Sequence, residues 1–177
     1  MTLSRRDIFR GLVDPSFWQR RRGRVPLPYL RDRDASRSVC TACAVRSGVD
    51  AGPPCMAACP EGIVGLADDG APYLHFERSG CTFCGDCAAA CEPKVLDSTR
   101  SRTIAAAIEL NRGACLAWSQ TMCQSCADRC PDRAIVFGAR LMEPVIDLER
   151  CTRCGLCVTA CPTEAIALSA TMRSDGS

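Results

Sequence analysis

The sequence predicts an α+β chain of two tandem units, each a pair of related halves with short hairpins and short helices. Three observations carry that prediction. Cysteine falls into four runs that together use all 16 cysteines of the 177 residues. The spacing between runs repeats, since 22 residues lead from Cys59 to Cys81 and 21 from Cys130 to Cys151. Each of those gaps holds two short apolar stretches, and Phe76 and Ile146 both stand five residues before the next cysteine. Self-similarity at such a spacing marks an internal repeat.

The most regular run is Cys151-Thr-Arg-Cys154-Gly-Leu-Cys157-Val-Thr-Ala-Cys161-Pro162. It reads C-x2-C-x2-C-x3-C-P, the bacterial ferredoxin run for [4Fe–4S] clusters. Three thiolates, each two residues from the next, wrap one cubane through a tight turn. The fourth sits on a short helix and points towards a second cluster, so one run implies a partner. Pro162 lacks an N–H and ends the pattern. Each unit therefore reads as a ferredoxin-like, pseudo-two-fold fold for two [4Fe–4S] clusters.

Composition narrows the chemistry. There are only nine aromatics, so a conventional core is thin and clusters are expected to replace part of it, coupling metal binding to folding. A disulfide scaffold and a zinc site are the competing readings of dense cysteine, and the full C-x2-C-x2-C-x3-C-P spacing argues against both. Labile clusters and free thiolates favour a reducing compartment, hence the cytoplasm. No stretch has the 18 or so apolar residues of a membrane span. The net charge of +2 hides an asymmetry: residues 1–37 hold ten Arg and four Asp, and the remainder is net acidic. A basic arm on an acidic body reads as a docking element or as a solvated tail. The acidic body argues against nucleic-acid binding.

In chain order, residues 1–37 form the basic, flexible arm. Ser4-Arg5-Arg6-Asp7-Ile8-Phe9-Arg10 has the outline of a twin-arginine export signal. Asp14, Pro15 and Arg20-Arg21-Arg22 stand where an apolar stretch would follow, so the reading is a motif without export. The first unit spans 38–97. Its first run is Cys40-Thr-Ala-Cys43, an insertion over 44–54, then Cys55-Met-Ala-Ala-Cys59-Pro60. Ser47-Gly48 and Gly52-Pro53-Pro54 make the insertion a loop. Short apolar runs around Asp68-Asp69-Gly70 predict a hairpin. His75, the only histidine, reads as solvated. The second run is Cys81, Cys84, Cys87 and Cys91, with Pro93 one residue late. A linker, 98–111, carries Ile104 to Leu110 as a strand or one helical turn. The second unit spans 112–170, with Cys115, Cys123, Cys126 and Cys130, a second hairpin, and then the run from Cys151. Ile166 and Leu168 close its last strand, and 171–177 is a frayed tail.

In two-cluster ferredoxins the fourth cysteine crosses to the other cluster. Applied here, Cys40, Cys43, Cys55 and Cys91 share one cluster, and Cys59, Cys81, Cys84 and Cys87 the next. Cys115, Cys123, Cys126 and Cys161 share a third, and Cys130, Cys151, Cys154 and Cys157 the fourth. Four clusters use every cysteine and leave no stray. The arm holds no ligand, so its removal is expected to leave iron binding intact.

Three details resemble the NapF-type ferredoxins: the stretched third run opening Cys115-Leu-Ala-Trp118, the perfect C-terminal run, and the short arm with Ser4-Arg5-Arg6. The resemblance covers about 1–168. It implies a cytoplasmic accessory iron–sulfur protein that assists the catalytic subunit of periplasmic nitrate reductase before export, by cluster assembly or electron supply. The apo catalytic subunit is then the partner, with Arg5, Arg6 and Arg10 as docking residues. The insertion over 44–54 departs from the family and puts the hold on the first cluster in doubt. No nucleophile, P-loop or G-x-G-x-x-G motif is present, so the chain does not read as an enzyme. The alternative is an electron-transfer subunit of a redox complex.

Overall fold

Each cysteine run builds one turn of helix with its third cysteine as the helix's second residue. A computed structural model describes residues 24–32, 38–43, 52–138 and 143–170. The helices are α1 (Pro54–Ala57), α2 (Asp86–Ala89), α3 (Ser125–Asp128) and α4 (Leu156–Ala160). They carry Cys55, Cys87, Cys126 and Cys157, all buried. A single turn has no stability of its own in water. These turns persist because they pack in pairs, α1 on α2 and α3 on α4. Residues 38–43 are helical as well and bring in Cys40 and Cys43.

The fourth cysteine follows each helix, and the chain then reverses in the same way four times. The third residue beyond it has positive φ: Gly62 (62°), Lys94 (57°), Arg133 (49°) and Glu164 (54°). Each of these amides donates back to the carbonyl of the fourth cysteine, at 3.1 to 3.2 Å. A left-handed conformation costs a non-glycine residue about 1–2 kcal/mol. Three such residues are held there by their surroundings.

After each reversal the chain extends. Strands β1 (Val64–Leu66) and β2 (Pro72–Leu74) pair antiparallel with Gly65 opposite Tyr73. The turn between them contains Asp68, Asp69 and Gly70, the last at φ 75°. Strand β3 (Ala106–Leu110) resolves the open reading of that segment: it is a strand. Strands β4 (Ile135–Phe137) and β5 (Pro144–Ile146) form the second hairpin. Strand β6 (Ile166–Ala170) returns to pair with β3, Ile108 opposite Leu168. The described residues thus form a small mixed helix–strand structure in which the second half closes by pairing its entry strand with its exit strand.

In the first half the expected boundaries shift. Residues 24–32, assigned by the sequence to a flexible arm, form a strap in the core: Val25 is 1% exposed, and Leu27 and Tyr29 5% each. The Leu74 N–H donates to the Val25 carbonyl (2.7 Å), and the Asp97 N–H to that of Tyr29 (2.9 Å). The Arg31 N–H donates to Val95 (3.0 Å). The strap makes two isolated antiparallel bridges, Val25 with Leu74 and Leu30 with Leu96. The alternation of Val25, Leu27 and Tyr29 could have shown it, but the flanking arginines and Pro26 and Pro28 masked it. Ile104, read as linker, is also fully buried. Arg5, Arg6, Arg10, residues 44–51 of the insertion and the tail 171–177 lie outside the described residues.

One buried cluster runs through both halves, from Val25, Ile63 and Leu74 to Ile104, Ile135 and Ile166. The halves also meet through backbone. The Cys81 N–H donates to the Cys154 carbonyl (2.6 Å) and the Ile104 N–H to that of Thr152 (3.0 Å).

Truncating the strap tests its place in the core. Leu27→Ala is expected to lower stability by about 2–5 kcal/mol, as for a buried leucine. Anaerobic chemical denaturation measures this, and no change would mean that the strap is loose.

Candidate metal centres

The helix pairing decides which thiols meet. The third cysteine of each run lies on the helix, and the fourth lies beyond its end, towards the paired run. Cys40, Cys43, Cys55 and Cys91 line one cavity of about 200 Å³, with Pro53, Pro54 and the strap residues Val25 and Leu27. Cys59 lines another with Cys81, Cys84 and Cys87, covered by Pro28 and Tyr29, of about 20 Å³. Cys115, Cys123, Cys126 and Cys161 line a third of about 20 Å³, and Cys130, Cys151, Cys154 and Cys157 a fourth of about 10 Å³. Among the described residues, no group of His, Cys, Asp or Glu is arranged to hold a metal ion directly. The thiols instead surround space.

The strap therefore touches two sites at once. Tyr29 turns inward at φ 67°, and its hydroxyl donates to the Phe83 carbonyl (2.9 Å). Its ring meets Phe83 edge-on at 6.2 Å, and Arg102 lies over the other aromatic at 5.3 Å. The sequence reading placed no site function on residues 24–32. Beside the third site, Arg112 stacks 4.4 Å above Trp118.

Electrostatics fit these cavities to a cationic guest. Burial first, and then neighbouring thiols, push Cys87 up to about 12 from the ordinary thiol value of 9.0. Burial raises Cys55, Cys81 and Cys126 to about 11. Cys157, deepest of all, is pushed up furthest by burial and then by Cys154 and Cys151. Protein groups alone leave several thiolates desolvated and crowded by like charge. Iron would remove both penalties, releasing protons as it binds. Amides are already turned to sulfur: the Ala134 N–H donates to Cys130 Sγ and the Ala165 N–H to Cys161 Sγ, each at 3.2 Å. Both amides directly follow a positive-φ residue, so the strained turn aims the donor. The sequence reading missed Lys94, Arg133 and Glu164 in this role. Gly62, at the same offset after Cys59, was the available signal.

His75 departs from expectation. It is half-buried beside Tyr73, and its Nδ1 is enclosed without a hydrogen-bond partner. It lines none of the four cavities described above.

Paired cysteine runs on paired helices, with amides directed at sulfur, are the marks of an iron–sulfur protein of the ferredoxin type. Residues 144–167 match the 4Fe–4S binding domain family. The chain is 33% identical over 167 residues to the ferredoxin-type protein NapF of Escherichia coli K12, covering 92% of each chain. It is 31% identical over 123 residues to the methylamine utilization ferredoxin-type protein MauM of Paracoccus denitrificans, covering 58% of this chain and 55% of that one. The ferredoxin-type protein NapG of Haemophilus influenzae is 28% identical over 170 residues, covering 81% and 58%. The chain belongs to the NapF family of ferredoxin-type proteins, and as such is an iron–sulfur electron-transfer protein. No helix among the described residues is long and apolar enough to cross a membrane.

Thiol reactivity tests the geometry. The thiolate is the species that alkylates, so a raised pKa suppresses labelling at neutral pH. In metal-free, reduced protein, Cys84, which is exposed, should label first and Cys157 last. Labelling of Cys87 should keep rising with pH past 9.0 towards about 12. Peptide mapping by mass spectrometry reads the order, and equal rates at all positions would contradict it.

Proposed function

We propose that the chain holds four [4Fe–4S] clusters, one in each cysteine quartet, and serves the catalytic subunit of a periplasmic nitrate reductase before its export. In this reading it acts in the cytoplasm, on the apo subunit, as a supplier of cluster or electrons and not as a catalyst. One observation carries the cofactor reading: sixteen thiols divide into four cavities of four, with none left over. When bound, such a cluster supplies a one-electron couple tuned by hydrogen bonds to sulfur and by exposure.

The chain's own residues do the rest. The crossing cysteines Cys59, Cys91, Cys130 and Cys161 tie paired runs together. Ala134 and Ala165 donate to cysteine sulfur, and Tyr29 and Pro28 cover one side of the second site. The nitrate reductase role is supported by kinship with NapF. The arm with Arg5, Arg6 and Arg10 is the proposed docking element. It joins the described chain at Arg24, which lines the first cavity. The alternative, an electron-transfer subunit of a redox complex, is favoured by the exposure of Cys84, which leaves the second site open to a partner.

Two measurements follow. Anaerobic reconstitution should give about sixteen iron and sixteen sulfide per chain. Iron near half of that, with zinc in the remainder, would overturn the four-cluster reading. Pull-down from anaerobic cytoplasm should recover apo-reductase in preference to mature reductase, and more weakly at high salt, where screening shortens to about 3 Å at 1 M. Equal recovery of both forms favours the electron-transfer alternative.

A further inference from the structure

The backbone contact between the halves joins the loops of two thiol quartets. Gly80 and Cys81 belong to the second quartet's loop, and Cys154 and Gly155 to the fourth's. The Cys81 N–H donates to the Cys154 carbonyl at 2.6 Å. Gly80 and Gly155 are both buried. A methyl group on Gly80 would run into the backbone of Leu156, Cys154 and Gly155. Gly155 stands at φ 85°, and a methyl group there would enter the ring of Phe76. Neither position has room for a side chain. This seam is closed by two glycines, one from each half, and by a ring from the first half laid across the second.

The other neighbours in the series are set by the helix pairs. Helix α1, which carries Cys55 of the first quartet, packs on α2, which carries Cys87 of the second. Cys81 of the second quartet is joined to Cys154 of the fourth by the backbone hydrogen bond already described. Helix α3, which carries Cys126 of the third quartet, packs on α4, which carries Cys157 of the fourth. In space the quartets run first, second, fourth, third, which is not their order in sequence.

We propose that Gly80 and Gly155 are positioning residues that fuse the two halves' sites into one line of four, crossed at the Cys81–Cys154 contact, with the first and third quartets as its ends. The inference rests on the four-cluster reading above. It assigns two exchange faces. A one-electron reductant gives up an electron at one end, a one-electron acceptor takes it at the other, and the protein is left unchanged. A chain of two independent halves would instead need each partner to meet the same half. The first quartet is bordered by Arg24 and the strap. The third, beside Trp118 and Arg112, is the opposite terminus of the line.

The test is electron paramagnetic resonance of the fully reduced, reconstituted full-length protein, with dithionite as the one-electron reductant. Neighbouring reduced clusters broaden each other's signals and speed their relaxation. Gly80→Ala should retain wild-type iron and sulfide while its spectrum narrows and its half-saturation power falls severalfold. Gly138→Ala, where an added methyl group meets open space, should match wild type in every respect. If Gly80→Ala loads poorly, Phe76→Leu carries the comparison, because it loosens the same seam instead of jamming it. Its iron should be complete and its spectrum narrowed. Wild-type spectra from seam variants with full iron would overturn the line of four and leave the four-cluster reading standing. Wild-type protein that takes up only half the iron would overturn that reading first, before any variant is compared.

Discussion

Desolvated thiols crowded by other thiols are the constraint on which this structure depends. Eight of the cysteines, among them Cys55, Cys87, Cys126 and Cys157, are buried. The ionisation of those four is opposed first by burial and then by neighbouring thiols. Ordinary apolar side chains would fill those positions at less electrostatic cost. The large, fully buried apolar residues are few, chiefly Ile63, Ile104, Ile166 and Val25. Cysteine stands where a larger core would otherwise be, and a multivalent cationic guest is what makes that arrangement favourable.

The same constraint explains the shape of the repeating element. A one-turn helix, a cysteine past its end, and a reversal through a positive-φ residue recur four times. The helix holds the third thiol of its own set. The reversal sends the chain into a strand and turns an amide towards the fourth thiol, as Ala134 and Ala165 show. Because the fourth thiol faces the paired run, neither run has a complete set without the other. Pairing of α1 with α2 and of α3 with α4 follows from that incompleteness more than from helix packing, since helices of four or five residues offer little surface.

Much of this was legible in the residues. The spacing C-x2-C-x2-C-x3-C marks where a thiol can turn back, and the matching gaps after Cys59 and Cys130 predict the two hairpins. Less legible was what encloses the sites. Val25, Leu27 and Tyr29 are short of a strand signal because Pro26 and Pro28 interrupt them and arginines surround them, yet they wall two cavities. Ile104 to Leu110 was ambiguous at seven residues, and only the partner β6, some sixty residues on, makes Ala106–Leu110 a strand. Lys94, Arg133 and Glu164 carry no propensity for positive φ; the turn imposes it. Nothing in the sequence singles out Gly80, because the backbone it must clear comes from the other half of the chain.

The central claim is that each site is completed by a cysteine from the paired run. Anomalous diffraction at the iron edge, from anaerobically grown crystals of the reconstituted protein, tests it most directly. The account predicts four compact iron peaks per chain. Cys91 should lie on the peak shared by Cys40, Cys43 and Cys55, Cys59 on that of Cys81, Cys84 and Cys87, and likewise for Cys161 and Cys130. Iron peaks each bounded by the four cysteines of a single run, with Cys91 beside Cys81, Cys84 and Cys87, would contradict it.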